Sequence, residues 1–106
     1  MVSYKDFTKL DLKIAEITEV TPIAGSEKLV QLTISLGEEK RTLVAGIRKQ
    51  YTPETLLGKQ VVVLTNLEPR KLMGIESQGM LLCADTPEGP VLLQPEKAVA
   101  SGSKIK

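Results

Sequence analysis

The clearest pattern in the chain is a strict alternation of apolar and polar side chains from Val30 to Leu36. A period of two residues is typical of a β-strand with one buried and one exposed face, so this segment predicts a strand. Gly37 and the two glutamates that follow it predict a turn. The segment from Lys40 to Ala45 then predicts the antiparallel return strand of a tight hairpin.

A second strand is predicted earlier in the chain, from Asp11 to Val20, but its apolar positions change phase. Leu12 and Ile14 share one face of an ideal strand, whereas Ala15 and Ile17 share the other. Because a shift of one residue exchanges the two faces, we expect a bulge or a sharp bend near Ile14. A bent first strand can serve both halves of a small barrel.

A short helix is predicted where the alternation stops after the third strand. Thr52 suits the N-cap and Pro53 the first helical position, while Gly58 suits the end of the helix. We expect Leu56 and Leu57 to point inward from this helix.

Two nearly continuous apolar runs, Val61 to Leu64 and Met80 to Ala84, predict the fourth and fifth strands. Five strands with a helix between the third and the fourth predict an all-β chain with a five-stranded OB-fold barrel at about residues 11–84. A generic small β-barrel is the alternative. A short C-terminal extension at about residues 85–106 carries the apolar run from Val91 to Leu93, which either caps the barrel or covers a partner subunit.

A charged segment, Asn66 to Gly79, connects the last two strands. Pro69 interrupts strand pairing, and Gly74 and Gly79 permit backbone angles that a Cβ disfavours. The basic pair Arg70-Lys71 lies between them. A compact charged loop held by two strands is a good place for a binding site, although an ordinary hairpin with a solvated basic pair is an equal alternative.

Composition limits the chemistry available to this chain. The 106 residues form one domain, 1–106, with 42% hydrophobic and 25% charged residues, as in ordinary globular proteins. The chain has no His, which removes the common general base and zinc ligand, and no glycine-rich phosphate loop occurs. We therefore expect no catalytic site, no cofactor and no metal.

The cellular location is predicted from cysteine usage and hydrophobicity. The single Cys83 lies in an apolar run, so we expect a buried, inert thiol rather than a disulfide. No apolar run reaches the length of a membrane span and no signal peptide opens the chain. These features predict a reducing, cytoplasmic compartment and no membrane partner.

Charge is distributed unevenly although the net charge is only +1. Residues 40–71 carry seven basic and two acidic side chains, whereas the segments on either side are net negative. A barrel with one basic sector can attract and orient a polyanion, although any single cation can equally be solvated. The few aromatic residues (Tyr4, Phe7 and Tyr51) do not fall in the predicted binding strands, so recognition of a folded RNA by backbone and shape is favoured over base stacking.

The segment NLEPRKLMGIESQGMLLCA, from Asn66 to Ala84, closely resembles the signature of the tRNA-binding domain that is appended to methionyl-tRNA synthetases and also occurs in free-standing tRNA-binding proteins. DFTKLDLKIAEI, GSEKL and VAGIRKQYTPETLLGK resemble further blocks of the same domain in the same order. The GSEKL block and the Ile-Arg after VAG resemble the synthetase branch more than the free-standing one.

This resemblance implies a non-catalytic domain that raises the affinity of a synthetase for tRNA. Its expected partners are tRNA, a catalytic methionyl-tRNA synthetase chain and a second copy of itself in a homodimer. A free-standing tRNA-binding protein, a chaperone-like dimer that binds peptides and a protein scaffold are the alternatives.

The resemblance also implies the residues that contact tRNA, on the loop before the second strand and around the SQGM motif. These are Ser26, Lys28, Asn66, Arg70, Lys71, Ser77 and Met80. We expect Ser77 and Asn66 to donate to phosphate or ribose oxygens from exposed positions, while Met80 is also a candidate core residue. If this face is not the site, the basic segment around Arg41, Arg48 and Lys49 is the alternative.

Overall fold

The computed structural model describes residues 1–106, and most of them build an antiparallel barrel. Its elements are α1 (Tyr4–Phe7), β1 (Leu12–Pro22), β2 (Val30–Ser35), β3 (Lys40–Ala45), α2 (Pro53–Leu56), β4 (Gln60–Leu64), β5 (Arg70–Leu72), β6 (Ile75–Ser77), β7 (Met80–Leu81), β8 (Cys83–Thr86) and β9 (Gly89–Leu92). Five strands form one nearly closed sheet in the order β3-β2-β1-β4-β7, while β5-β6 and β8-β9 are separate hairpins. The predicted five-stranded barrel with a helix between its third and fourth strands is confirmed.

The barrel interior is filled by the apolar face of each strand. Residues that are at most 2% exposed come from all four long strands, from α2 and from the loop between β3 and α2; they are Ala15, Ile17, Val30, Leu32, Ile34, Leu43, Ile47, Leu56, Val61 and Val63. The alternation in β2 is seen directly, because every second residue from Val30 is buried. Burying a Val, Leu or Ile side chain of this kind contributes about 1.5–3 kcal/mol, so these residues provide the main driving force for folding.

Helix α2 has the predicted start but only one turn. The Thr52 side chain accepts a hydrogen bond from the Thr55 amide, and the Thr55 side chain accepts one from the Thr52 amide, which forms a capping box. Leu56 is fully buried as predicted, but the inward position predicted for Leu57 is wrong, since this side chain is 56% exposed. Leu57 caps the helix with an extended backbone, which turns its side chain outward. Neither helix is long and apolar enough to cross a membrane.

Strand β1 serves two neighbours, as predicted, but the bulge lies elsewhere. Its first half pairs with β4 and its second half with β2. The register shift falls between Ile17 and Glu19, so the bulge expected near Ile14 is wrong in position. Ile14 and Ala15 are both buried although the pairing of β1 with β4 is regular from Leu12 to Glu16, so the burial of both residues does not come from a change of phase.

The first half of β1 pairs along its second edge with the C-terminal strap, which we define as residues 99–105. The Ile14 amide donates to the Ser103 carbonyl at 2.9 Å, and the Gly102 and Ile105 amides donate to carbonyls of β1 at 2.7 and 2.9 Å. At the start of the strap, the Gln60 side-chain amide makes two hydrogen bonds with the backbone of Val99. The C-terminal extension therefore covers its own barrel.

A glycine is required where the strap passes the end of β2. Gly102 has a positive φ of 91°, and a Cβ there would lie 2.3 Å from the Leu36 carbonyl oxygen. The backbones approach too closely for any other residue. The strap is thus fitted to the barrel.

The predicted fifth strand is not continuous. Met80–Leu81 pairs with β4, and the Leu82 amide still donates to the Val62 carbonyl at 2.9 Å. From Cys83 onward the chain leaves β4 and pairs with β9. An unbroken apolar run does not distinguish one strand from two short strands with different partners. Leu92 of β9 packs against the barrel core, whereas Val91 and Leu93 are 46% and 42% exposed.

The strap is also held by an electrostatic contact at the start of β1. The Asp11 carboxylate accepts hydrogen bonds from the Thr65 hydroxyl at 2.7 Å and from the Lys104 ammonium at 3.1 Å. These two hydrogen bonds lower the pKa of Asp11 below its ordinary value of 3.8. A lowered carboxylate pKa stabilises the fold above the ordinary value, and this contribution is lost as the pH falls through the lowered value.

We expect Asp11→Asn to lower the thermal midpoint by about 2–4 °C at pH 7, because a partly exposed ion pair contributes about 0.5 kcal/mol. The difference from the parent should disappear below the lowered pKa, where Asp11 is protonated. Thermal unfolding at a series of pH values from 2 to 7 measures it. A deficit that persists at the acid end would mean that the carboxylate charge is not what holds the strap.

Candidate nucleic-acid interface

The barrel is closed between its two edge strands, β3 and β7, by side chains rather than by a regular ladder. The Gln78 amide donates to the Thr42 carbonyl at 2.8 Å, and the Thr42 amide donates back to the Gln78 side-chain oxygen at 2.9 Å. The Val44 amide donates to the Ser77 hydroxyl at 3.0 Å. We call this set of contacts the seam. It satisfies backbone donors on β3 that would otherwise lack a partner.

Gly79 and Arg41 complete the seam on either side. Gly79 has a φ of 146°, and a Cβ there would lie 2.9 Å from the Leu64 carbonyl oxygen. The Arg41 guanidinium donates to the carbonyls of Thr65 and Gln78 and pairs with Glu39 at 2.9 Å. Arg41 therefore links three segments of the chain, and its donors are already occupied.

The seam changes the interpretation of Ser77. Its side chain was expected on an exposed loop, but the residue is only 5% exposed. Its hydroxyl accepts from Val44 and donates to the Gly79 carbonyl at 3.1 Å. Its hydrogen-bond donor is thus already used within the protein.

Arg70 and Lys71 lie on the β5-β6 hairpin, whose two strands are joined by a two-residue turn, and not on an irregular loop. Met73 and Gly74 both have positive φ angles, 53° and 79°, as a type I′ turn requires. Arg70 pairs with Ser77 across the hairpin, so the seam fixes its base. Arg70 and Lys71 are both exposed, and adjacent strand residues point to opposite faces. Each cation therefore faces a different side of the hairpin.

The loop before β2, residues 23–29, is partly held in shape by hydrogen bonds between its own residues. The Ser26 hydroxyl accepts hydrogen bonds from the amides of Lys28 at 3.3 Å and Leu29 at 3.0 Å. Arg48 reaches into this loop and donates to the carbonyls of Ile23 and Ser26. Lys28 itself is exposed and its ammonium group has no partner in the chain.

The loop and the hairpin are brought together at their tips. The terminal methyl of Met73 lies 3.7 Å from the position that a Cβ on Gly25 would occupy. The loop that carries Lys28 and the hairpin that carries Arg70 and Lys71 are therefore neighbours, and we call these two segments together the basic face.

The remaining candidates are divided between structural and exposed positions. The Asn66 side chain accepts from the Asp11 amide at 2.9 Å and donates to the Lys9 carbonyl at 2.7 Å, which fastens the N-terminal segment. Lys49 is exposed beside Arg48. Met80 is 41% exposed, so it is not a core residue.

An apolar cleft of about 380 Å³ opens beside the hairpin. Its walls include Val44, Leu72, Met80, Leu81 and Cys83, with Arg70 at its charged side. Burial raises the pKa of the Cys83 thiol, as expected for an unreactive cysteine. No cluster of His, Cys, Asp or Glu in the chain has the geometry of a metal site.

Sequence analysis missed Gln78 and the closing role of its neighbours. The order Ser77-Gln78-Gly79 places a short acceptor, a long amide and a residue without a Cβ at the point where β3 and β7 approach. A Ser-Gln-Gly sequence immediately before an apolar run was the available signal. The role of this sequence depends on which strand lies opposite it, and local sequence does not indicate that strand.

Comparison with known families settles the classification. Residues 12–104 match the family model described as "Putative tRNA binding domain". The chain belongs to this tRNA-binding domain family. Curated methionine–tRNA ligases are among its relatives, with 50% identity over 105 residues for the protein of Pyrococcus horikoshii and 49% over 104 residues for that of Caldanaerobacter subterraneus. The chain spans only 14% and 16% of those two proteins, although 99% and 98% of the chain is aligned.

Solved structures of family members have the same fold. A MetRS-related protein from Pyrococcus horikoshii superposes with a TM-score of 0.93 at 34% identity, covering 100% of this chain and 98% of that one. The chaperone CsaA from Bacillus anthracis superposes with a TM-score of 0.92 at 32% identity, with 100% and 99% coverage. The tRNA-binding domain therefore has the OB-type barrel that was predicted.

Because the Ser77 hydroxyl takes part in the seam, its removal should destabilise the protein. Ser77→Ala should lower the free energy of unfolding by about 1–3 kcal/mol, because the half-buried Val44 amide loses its partner. Ser101→Ala, which removes a hydroxyl without a hydrogen bond, is the matched control and should change stability little. Chemical denaturation of both variants measures the difference. Equal stability of Ser77→Ala and the parent would contradict the assigned role of the seam.

Proposed function

We propose that this chain binds tRNA through the basic face and thereby increases the affinity of a methionyl-tRNA synthetase for its tRNA. The observation that carries the proposal is the proximity of the loop and the hairpin at Gly25 and Met73. Three exposed cations lie on these two segments without intramolecular ion pairs. Phosphates are the groups that such cations bind.

The contacting and the supporting residues have different proposed roles. Lys28, Arg70 and Lys71 bind phosphates, and Met80 contributes apolar contact at the edge of the cleft. Ser26, Asn66 and Ser77 are already hydrogen-bonded within the protein, so they act by holding the loop, the N-terminal segment and the hairpin in place. Binding of this kind reads the shape and backbone of a folded RNA, since the basic face offers no aromatic platform.

The benefit to a synthetase follows from effective concentration. Its catalytic chain and this domain each hold tRNA at a different place, so binding at one site makes binding at the other intramolecular. The domain needs no catalytic group of its own for this task. The 14–16% share of the curated ligases that it matches is consistent with an accessory part acting either in cis or in trans. A cytoplasmic location fits this role.

Lys28→Ala should weaken tRNA binding about tenfold at 50 mM salt, because one phosphate contact is lost. The slope of log affinity against log salt concentration should fall by about 0.7–0.9. The thermal midpoint should not change, since Lys28 is exposed and makes no side-chain contact. Filter binding or fluorescence anisotropy over a salt series measures both quantities.

The matched control for this experiment is Lys97→Ala, which removes an exposed lysine beside Lys59 and Gln60 and away from the basic face. It should leave the affinity and the salt slope close to those of the parent. Equal losses for Lys28→Ala and Lys97→Ala would mean that the chain attracts RNA by general charge. Parent-like binding by Lys28→Ala would place the site elsewhere, with Lys49 as the next residue to test.

We also propose that the domain forms a homodimer through the exposed edge of the β8-β9 hairpin. Val91 and Leu93 are exposed apolar residues on a strand whose other face packs on the core, and Ala84 lies opposite Val91. An exposed apolar strand edge is a common surface for association. A dimer would present two basic faces, and could hold two catalytic chains together.

The dimer is tested by sedimentation of the intact chain at micromolar concentration, where we expect twice the monomer mass. Val91→Asp combined with Leu93→Asp should give a folded monomer, because both side chains point away from the core. Truncation of the extension is unsuitable, since it would also remove the strap. A parent monomer, or a dimer that survives both substitutions, would contradict the proposed surface.

A second candidate function is binding of extended apolar peptides in the cleft beside the hairpin. The cleft of about 380 Å³ and the similarity to the chaperone CsaA from Bacillus anthracis favour it. Peptide binding driven by apolar burial depends little on salt, whereas binding to phosphates weakens steeply as salt rises. The same salt series with an apolar peptide in place of tRNA distinguishes the two functions.

A further inference from the structure

The side chain of Arg48 points into the loop of residues 23–29 instead of toward solvent. Its guanidinium donates to the Ile23 carbonyl at 3.1 Å and to the Ser26 carbonyl. Its backbone amide donates to the Lys28 carbonyl at 3.1 Å. Arg48 therefore contacts three carbonyls of one loop and is half-buried by it.

The loop has few other connections to the barrel between its two ends. The Ser26 amide donates to the Ile23 carbonyl at 3.2 Å, and the Ser26 hydroxyl accepts from the two amides that follow, all within the loop. Hydrogen bonds from the rest of the protein to residues 23–28 come from Arg48 alone. The other anchors are apolar: the Ile23 side chain is buried at the start of the loop, and the Met73 methyl lies near Gly25 at its tip.

We propose that Arg48 is a positioning residue for RNA binding, which fixes the loop in the shape that presents Lys28 beside the hairpin. This inference depends on the proposed function, because it assigns Lys28 to the RNA contact. Within the alternative basic segment around Arg41, Arg48 and Lys49, it gives Arg48 a supporting role instead of direct contact with phosphate. The donors of Arg48 that face the loop are not available to RNA.

Arginine has a geometric advantage at this position. Its planar guanidinium offers several N–H donors in a fixed arrangement, so it can satisfy two separate carbonyls at once. A lysine keeps the positive charge but has one flexible ammonium group, which does not reproduce this arrangement. Replacement of Arg48 by lysine therefore separates the role of shape from the role of charge.

The decisive experiment compares the parent, Arg48→Lys, Lys28→Ala and the double variant in tRNA binding over a salt series. If Arg48 acts through Lys28, Arg48→Lys should weaken binding by up to the tenfold expected for Lys28→Ala, and reduce the salt slope although no cation is removed. The double variant should bind no more weakly than Lys28→Ala alone, because the two changes act on the same contact.

Hydrogen exchange of the free protein provides a readout that needs no RNA. In Arg48→Lys the amides of Ser26, Lys28 and Leu29 should exchange faster, while the amides of β2 keep their parent rates. Faster exchange throughout the chain, with a lower thermal midpoint, would indicate a general structural role and overturn the proposal.

The remaining outcomes are distinguishable. Parent-like binding by Arg48→Lys while Lys28→Ala binds weakly would overturn the positioning role alone. Additive losses in the double variant would instead show that Arg48 contacts RNA independently. Failure of the parent to bind tRNA would overturn the proposed function and the binding part of this inference, and the exchange rates would then decide only whether Arg48 orders the loop.

Discussion

Closure of the barrel between β3 and β7 is the constraint on which the rest of the structure depends. β7 is only two residues long, so it cannot offer β3 a full ladder of backbone partners. The Ser77 hydroxyl and the Gln78 amide replace the missing groups and satisfy the exposed edge of β3. Because an unpaired buried amide is costly, these side chains decide whether the barrel closes, and they set the base of the β5-β6 hairpin.

This arrangement separates residues that build the site from residues that touch the ligand. Ser26, Ser77, Asn66 and the two arginines 41 and 48 have hydrogen-bond partners inside the protein. The exposed cations on the loop and the hairpin do not. A binding surface can lose function through either group. Loss of an exposed cation should change the salt dependence of binding directly, whereas Arg48 should change it only through the position of Lys28.

Much of the fold was predictable because strong periodic patterns fill the barrel. The alternation in β2, the Thr52-Pro53 helix start and the glycines at positive φ each depend on local rules, and the structure confirms them. The division of the fifth strand and the burial of Ile14 were not predictable, since both depend on segments distant in sequence. For the same reason the basic segments could be located from charge, whereas the internal partners of Ser77 and Arg48 could not.

The proposed function requires tRNA to meet the surface formed by the loop of residues 23–29 and the β5-β6 hairpin. Backbone amide shifts measured during titration of the isotopically labelled chain with tRNA locate the contact. We expect the largest changes on Lys28 and its loop and on Arg70 to Gly74, with small changes at the C-terminal strap. Changes concentrated on the strap and around Lys59, with none in the loop or the hairpin, would contradict it.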